Sequence, residues 1–190
     1  MNLVGNTCVA SYITRDYIKQ PFINPFVWAV MDFESCYNLV KYWDKINFEN
    51  YELVKNKNWE FSIIIDGKVK VQYVHYKFSK EHNKITIKNN DVYYNRIWEY
   101  IIEKYNKRIA NIRNEKPTFI FVYPNQAPTP HIKPFTLEQQ KKLEKLNSQY
   151  KIIISFKDMI KSDKLTCIKQ NKIFKDNGSE FSKYIYEKSL

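Results

Sequence analysis

The feature that most constrains the fold is an unbroken apolar stretch at residues 119–123, Phe-Ile-Phe-Val-Tyr. A strand with one solvent-facing side alternates apolar and polar residues, whereas a strand covered on both faces is apolar throughout. Strands of the second kind are typical of parallel sheets that carry helices on their faces. Other apolar runs at residues 3–5, 26–31, 152–154 and 165–168 predict further strands.

Helices are predicted between these strands by capping residues and by apolar residues at helical spacing. They are expected over residues 8–17, 32–43 and 91–113, the last two opened by an aspartate in the cap position. Thr136, with Gln139 three residues later, forms the capping-box pattern of a fourth helix.

A β-hairpin is predicted by Asp66-Gly67, which lies between strand-like segments at residues 61–65 and 69–78. Asp-Gly supplies the two positive φ angles that a type I′ turn demands. A short strand is also expected at residues 85–87. Together these elements predict one α/β domain over residues 1–190, with a mixed sheet, an embedded hairpin and flanking helices. Residues 171–190 are either part of its core or a peripheral tail.

Composition excludes several functional classes. The three glycines, Gly5, Gly67 and Gly178, cannot form a glycine-rich phosphate loop, so P-loop and dinucleotide-binding fingerprints are absent. The net charge is +11, but only four of the basic residues are arginines. Proteins that read duplex DNA rely on the planar guanidinium of arginine for bidentate contacts to guanine and phosphate. Nucleic acid is therefore a disfavoured partner. A positive surface still favours anionic small substrates such as nucleotide sugars or lipid-linked sugars.

Cysteine usage and hydropathy indicate the cellular context. The three cysteines match neither a disulfide framework nor a zinc-binding spacing, and the histidines are scattered, so neither a metal nor another cofactor is expected. No apolar run is long enough for a membrane helix, and the first residues lack the pattern of a signal peptide. A reduced, cytoplasmic protein is therefore expected.

Cys8 is the first candidate catalytic residue, because it follows Gly5-Asn6-Thr7 where a strand is predicted to end and a helix to begin. Backbone N–H groups at a helix N-terminus stabilise a thiolate, and the amides around Asn6 to Val9 could bind an oxyanion. The alternative is that Cys8 is a small buried residue on the first helical turn.

His75 is the candidate general base, on a strand whose alternation would place Val71, Tyr73, His75 and Lys77 on one face. A histidine that is merely hydrogen-bonded on a polar face is the alternative. His131 lies in a proline-rich loop beyond the strand at 119–123, where open α/β sheets bind ligands, and it is a candidate substrate contact or alternative base.

Arg96 and Arg108 stand out because arginine is rare in this chain. A guanidinium binds carboxylate and phosphate groups through a planar fork, so both residues are candidate substrate contacts. Pairing with a neighbouring glutamate on the helix surface is the alternative.

The order of short motifs resembles a known family. Gly5-Asn6-Thr7-Cys8, Asn24-Pro25-Phe26-Val27-Trp28, Asp32-Phe33, Val74-His75-Tyr76 and Lys107-Arg108-Ile109 occur in the order seen in small bacterial proteins associated with exopolysaccharide biosynthesis. The chain is also similar to a related family of papain-like cysteine peptidases. The resemblance spans residues 3–123 or so. It departs from the family where Val9-Ala10-Ser11 replaces Trp-Gly-Gly after the cysteine.

The resemblance implies a cytoplasmic bacterial enzyme of capsule or exopolysaccharide biosynthesis, a transferase or hydrolase acting on an anionic glycan precursor. It implies Cys8 and His75 as the catalytic pair. The neighbouring matched positions are candidate substrate contacts: Asn6, Asp32, Tyr76 and Arg108. Two alternatives stay open: a glycosyltransferase without covalent catalysis, and a non-catalytic protein that binds glycan or single-stranded nucleic acid through a basic, tyrosine-rich surface.

Overall fold

The computed structural model describes residues 1–22, 24–26, 28–55, 60–79, 84–87, 90–93, 97–123, 133–146, 148–171, 174 and 178–189. At 55, 60, 74–79, 84–87, 90–93 and 97–98 it describes the backbone only. In chain order the elements are β1 (Asn2–Gly5), α1 (Val9–Ile13), a π-helical turn (Thr14–Ile18), α2 (Phe33–Tyr42), β2 (Tyr51–Lys55), β3 (Glu60–Ile65), β4 (Val69–Ser79), β5 (Lys84–Ile87), β6 (Asn90–Tyr93), α3 (Ile97–Ile109), β7 (Pro117–Val122), α4 (Leu137–Lys145), β8 (Lys151–Ser155), β9 (Thr166–Cys167) and α5 (Ser179–Ser189).

The predicted α/β class is confirmed, and the described strands divide between two sheets. The first is parallel, in the order β1-β7-β8-β9. Strand β7 lies between β1 and β8, and its residues 119–122 are fully buried, as their apolar character predicts. The second sheet is antiparallel, in the order β2-β3-β4-β5-β6.

Alternating side chains of the parallel sheet enter two hydrophobic clusters, one on each face. One face packs against α1 and α5 through a cluster that includes Leu3, Val9, Ile13, Ile120, Val122, Ile153, Phe181 and Ile185. The opposite face packs against α2, α3 and the antiparallel sheet through a larger cluster that includes Val4, Leu39, Ile63, Val71, Tyr105, Phe119, Phe121 and Ile154.

The predicted caps and turn are present. Asp32 accepts a hydrogen bond from Ser35 N at the start of α2 (2.8 Å), and both bonds of the Thr136–Gln139 capping box form. Asp66 and Gly67 have φ angles of 51° and 63°, and Lys68 N donates to Ile65 O (2.9 Å). The hairpin turn is therefore of the predicted type I′ geometry.

Two predictions were wrong. Residues 26–31 form no strand in the described positions, but a turn with one isolated bridge at Val30. Asp91 opens no helix, because residues 90–93 pair with β5 as β6 and α3 begins at Ile97. Of the two alternatives left open for residues 171–190, the core applies to α5, since Phe181 and Ile185 on that helix are fully buried against the parallel sheet.

The segment around Val30 connects the two sheets. Met31 N donates to Asn6 O just beyond β1 (3.0 Å), and Val30 exchanges two backbone hydrogen bonds with Gln72 of β4 (2.8 and 3.0 Å). The carboxyl end of β1 and the middle of β4 are thus held to adjacent residues of one short segment.

Candidate functional site

The carboxyl end of β1 is fixed by the side chain of Asn6, which is fully buried. Its Oδ1 accepts from Val122 N (2.8 Å) and its Nδ2 donates to Val122 O (3.1 Å). This pair of bonds ties the end of β1 to the end of β7. Both polar ends of Asn6 are used within the chain, so it positions the backbone and is poorly placed for the substrate contact that the sequence suggested.

Gly5 lets α1 begin close to the sheet. A Cβ atom at Gly5 would lie 2.7 Å from the Cβ of Ala10 and 3.3 Å from Ile120 O. Contacts below 3.0 Å are not tolerated, so any larger residue at Gly5 would push α1 away from β1. The glycine thus sets where Cys8 emerges from the sheet.

Cys8 lies half-buried at the cap position of α1, three residues beyond β1. Tyr12 N donates to Cys8 O (3.0 Å), which places Cys8 on the first turn, as predicted. The amides of Asn6 and Val9 already donate to Ile120 O (3.3 Å) and Thr7 Oγ1 (3.2 Å). Of the amides expected around Asn6 to Val9, these two N–H groups are therefore already used within the chain.

Polar groups at the ends of β7, β8 and β9 lie along the same edge of the parallel sheet. Tyr123 N donates to Ser155 O (2.8 Å), and Gln170 Nε2 donates to Tyr123 O (2.8 Å) and Ser155 Oγ (3.1 Å). We call Asn6, Cys8, Tyr123, Ser155 and Gln170 the sheet-edge site. The carboxyl edge of an open α/β sheet is where such folds bind ligands.

An aromatic–arginine cluster, defined as Tyr12, Arg15, Phe22 and Trp28, lies one helical turn from Cys8. The rings of Tyr12 and Trp28 meet edge to face, with centroids 5.0 Å apart, and the Arg15 guanidinium lies 5.0 and 5.4 Å from their centroids. Arg15 also pairs with Asp16, which raises its pKa through a hydrogen bond and lowers that of Asp16. Partly exposed aromatic rings beside a cation suit a sugar ring that carries negative charge.

Trp28 is held in a strained backbone conformation. Its φ angle is 56°, in the left-handed region that bulky residues rarely adopt, and its N–H donates to Ser11 Oγ of α1 (2.8 Å). Strain of this kind persists where surrounding contacts enforce it, and it is frequent at functional sites. The sequence analysis missed this cluster; the only local signal was the Asn24-Pro25-Phe26-Val27-Trp28 motif, which carries no information about φ.

His75 and Tyr76 lie where β4 departs from regular pairing. Tyr73 pairs with Phe61 and Lys77 with Glu60, so residues 74–76 of β4 fall between two consecutive partners in β3. The pairing of β4 with β3 is therefore irregular at residues 74–76, and the faces predicted for the side chains of His75 and Lys77 lie outside the described residues. Bulges re-aim side chains and are over-represented next to active sites. The side chains of His75 and Tyr76 lie outside the described residues.

The other predicted contacts are not gathered at the sheet edge. Asp32 is exposed and caps α2, so its carboxylate has a structural role. Arg108 is half-buried on α3, in a pocket with Tyr73 and Lys104. Arg96 and His131 lie outside the described residues.

The thiol groups of the three cysteines have different surroundings. Cys36 is fully buried on α2, where burial, and next the nearby charge of Asp32, raise its pKa well above the usual value. The pKa of Cys167 is also raised, mainly by burial. Cys8 is the half-buried thiol at the sheet edge.

We expect iodoacetamide to alkylate Cys8 first in the native protein, because only a thiolate reacts and the raised pKa of Cys167 delays its ionisation to higher pH. Cys36 should react only after unfolding. Peptide mass spectrometry across a pH series measures all three rates. Denatured protein, in which the thiols should react alike, is the control, and a Cys8 rate no greater than that of Cys167 in the native state would contradict the assignment.

Among the described residues no helix is long and apolar enough to cross a membrane, and no group of three or more His, Cys, Asp or Glu side chains is arranged to hold a metal ion. Comparison with protein-family models and with curated proteins finds no match to the chain.

Proposed function

We propose that this chain is a cysteine-dependent transferase or hydrolase that acts on an anionic glycan precursor in the biosynthesis of a bacterial surface polysaccharide. The observation that carries the proposal is the place of Cys8, half-buried on the first turn of α1 at the carboxyl edge of the parallel sheet. The aromatic–arginine cluster beside it offers rings and a cation of the kind that binds a charged sugar.

In the proposed reaction the Cys8 thiolate attacks the carbonyl carbon of an acyl donor and a thioester forms. The leaving group departs with a proton returned by the general base, and water or a sugar hydroxyl then releases the acyl group and restores the thiol. The N–H of Thr7 is the proposed donor to the oxyanion. The N–H groups of Asn6 and Val9 already donate to other atoms of the chain.

His75 is the proposed base. The support is the path of the backbone. Val30 forms a bridge with Gln72 of β4, three residues before His75. The next residue, Met31, donates a hydrogen bond to the backbone of Asn6, two residues before Cys8. The interrupted pairing at residues 74–76 then allows a side chain to leave the regular alternation of the strand.

Cys8→Ser is expected to abolish both turnover of p-nitrophenyl acetate and the trapped acetyl adduct seen by intact-protein mass spectrometry. His75→Gln should lower the acylation rate on the order of 10²–10⁴-fold, the usual contribution of a general base. Cys167→Ser, which removes a half-buried thiol on β9, is the matched control and should leave both readouts unchanged.

The same variants separate the proposal from its competitors. Turnover of a sugar donor that survives Cys8→Ser would indicate a glycosyltransferase without a covalent intermediate. Glycan binding with no turnover by any variant would indicate a binding protein. Either result would overturn the proposed role of Cys8.

A further inference from the structure

A cleft lies between residues 46–49, which follow α2, and residues 106–113, which form the end of α3 and the turn after it. Its volume is about 610 Å³, within the range of small-molecule sites in proteins, roughly 300–1,000 Å³. Asn2 Nδ2, at the start of β1, donates to Ile112 O in this turn (3.2 Å). The cleft therefore lies near the amino edge of the parallel sheet, whereas Cys8 follows the carboxyl end of β1.

The apolar surface of the cleft is small and lies mainly on one wall. Ile109 is half-buried at the end of α3, and Ala110, the next residue, is exposed. Ile46, Phe48 and Ile112 also line the cleft, but each is at most 5% exposed and belongs to the larger hydrophobic cluster. A patch of this size suits one face of a small ring better than the docking of another protein.

The polar groups of the cleft include two amide donors and one carboxylate. The Oδ1 atom of Asn106 accepts from the Tyr51 hydroxyl (3.1 Å), and that of Asn47 accepts from Glu49 N (3.1 Å). Among the described residues, neither Nδ2 group donates to a protein atom, and no cation pairs with the exposed Glu49 carboxylate. These three groups can therefore bind a ligand without breaking bonds of the fold.

Arg113 also lines the cleft, and its position is fixed by the fold. Its Nη1 atom donates to Trp43 O and its Nη2 atom to Ile46 O (2.8 Å), and the guanidinium lies 4.7 Å from the centroid of the Phe48 ring. Arg113 and Glu49 give the cleft a formal charge of zero, in a chain whose net charge is +11. An anionic ligand therefore gains no local attraction from the groups that line this cleft.

These groups match the hydroxyls of a neutral sugar. Because each hydroxyl both donates and accepts, neighbouring hydroxyls can donate to the Glu49 carboxylate and accept from the amides of Asn47 and Asn106. The carbon face of the ring then packs on Ile109 and Ala110. We propose that the cleft binds a neutral oligosaccharide.

The position of the cleft indicates what such an oligosaccharide does. Because the cleft and the Cys8 thiol lie at opposite edges of the parallel sheet, the bound sugars are held away from the reacting group. The cleft thus retains the polysaccharide chain under synthesis. That identity of the sugar rests on the proposed function, whereas the binding of a neutral oligosaccharide does not.

An NMR titration with three neutral trisaccharides, maltotriose, cellotriose and mannotriose, tests the site without any turnover. At least one should shift the side-chain N–H signals of Asn106 and the backbone N–H signal of Ala110 saturably by about 20 mM, with a Kd that does not change with salt. Trigalacturonic acid, a charged trisaccharide, should bind more weakly at the same signals. Absence of saturable shifts with all three neutral sugars, or tighter binding of trigalacturonic acid, would overturn the proposal.

Glu49→Gln should raise the Kd for the bound sugar about tenfold, the usual strength of hydrogen bonds to a charged group. Glu52→Gln is the matched control, an equal change of charge at an exposed position of β2 outside the cleft. It should change the Kd by less than about twofold. Equal losses in the two variants would contradict the site. Cys8→Ser should bind the sugar normally, so failure of the catalytic proposal and failure of this site are read separately.

Discussion

Replacing Phe181 with alanine is expected to lower the free energy of unfolding by about 3–5 kcal/mol, the usual cost of removing a buried phenyl ring. Phe181 is fully buried on α5, and its ring centroid lies 4.8 Å from that of Phe174. It belongs to the cluster that covers one face of the parallel sheet. Removal of the ring leaves a cavity between α5 and the sheet, which neighbouring side chains can fill only in part.

Chemical denaturation followed by circular dichroism measures this loss as a lower midpoint at unchanged slope. Lys183→Ala, two residues away on the same helix, is the control. Lys183 is exposed and its pair with Glu187 spans 3.9 Å, so its removal should cost no more than about 0.5 kcal/mol. Equal midpoints for Phe181→Ala and the parent protein would mean that α5 does not contribute to the core in solution.

Asn6→Asp is expected to destabilise the protein by about 3 kcal/mol at neutral pH. The introduced carboxylate can still accept from Val122 N, but its second oxygen would face Val122 O, to which Asn6 now donates. A buried carbonyl oxygen then loses its donor and meets a negative charge, which costs more than a neutral lost bond.

The penalty should depend on pH in a defined direction. Burial beside a carbonyl raises the pKa of the introduced carboxyl in the folded state above its unfolded value of about 3.9. The folded state then binds more protons, so the penalty is smallest below the unfolded pKa and grows as the pH rises through the folded pKa. Asn114→Asp, at an exposed position, is the control. A penalty that is the same at pH 3.5 and pH 7 would contradict the assigned bonds.

The elements that could be predicted are those determined by a few neighbouring residues. The Thr136 capping box and the type I′ turn at Asp66-Gly67 are local hydrogen-bond and φ requirements, and both are present. Residues 119–122 of β7 were predictable because the part of a strand that lies between two others and is covered on both faces is apolar.

The errors came from residues whose conformation is decided by distant contacts. The apolar run at 26–31 resembles a strand, but Trp28 adopts a positive φ and Val30 forms an isolated bridge with Gln72, 42 residues later. Asp91 is a good helix cap, yet it pairs with Thr86 across β5 and β6. Helix α5 carries polar residues on its open side, which obscured the buried face that includes Phe181.

The candidate site was predictable in part for the same reason. The place of Cys8 follows from Gly5 and the strand–helix boundary, which are local. The aromatic–arginine cluster forms where α1 contacts Trp28, and the pocket on α3 forms where Tyr73 lies near Arg108. These residues are too far apart in the sequence for a short motif to reveal the contacts. Asn6 and Asp32 were expected to contact substrate, but their side chains form hydrogen bonds with backbone atoms of Val122 and Ser35.

The short segment at Val30 and Met31 has a consequence for how the molecule unfolds. Its amides are bonded into both sheets at once, and the larger hydrophobic cluster takes side chains from both. If either sheet unfolded, the other would lose the hydrogen bonds made through this segment and the apolar side chains that pack against it in the shared cluster. The two sheets therefore form one cooperative unit, and the amide protons of Val30, Met31 and Gln72 should exchange with solvent only when the whole unit opens.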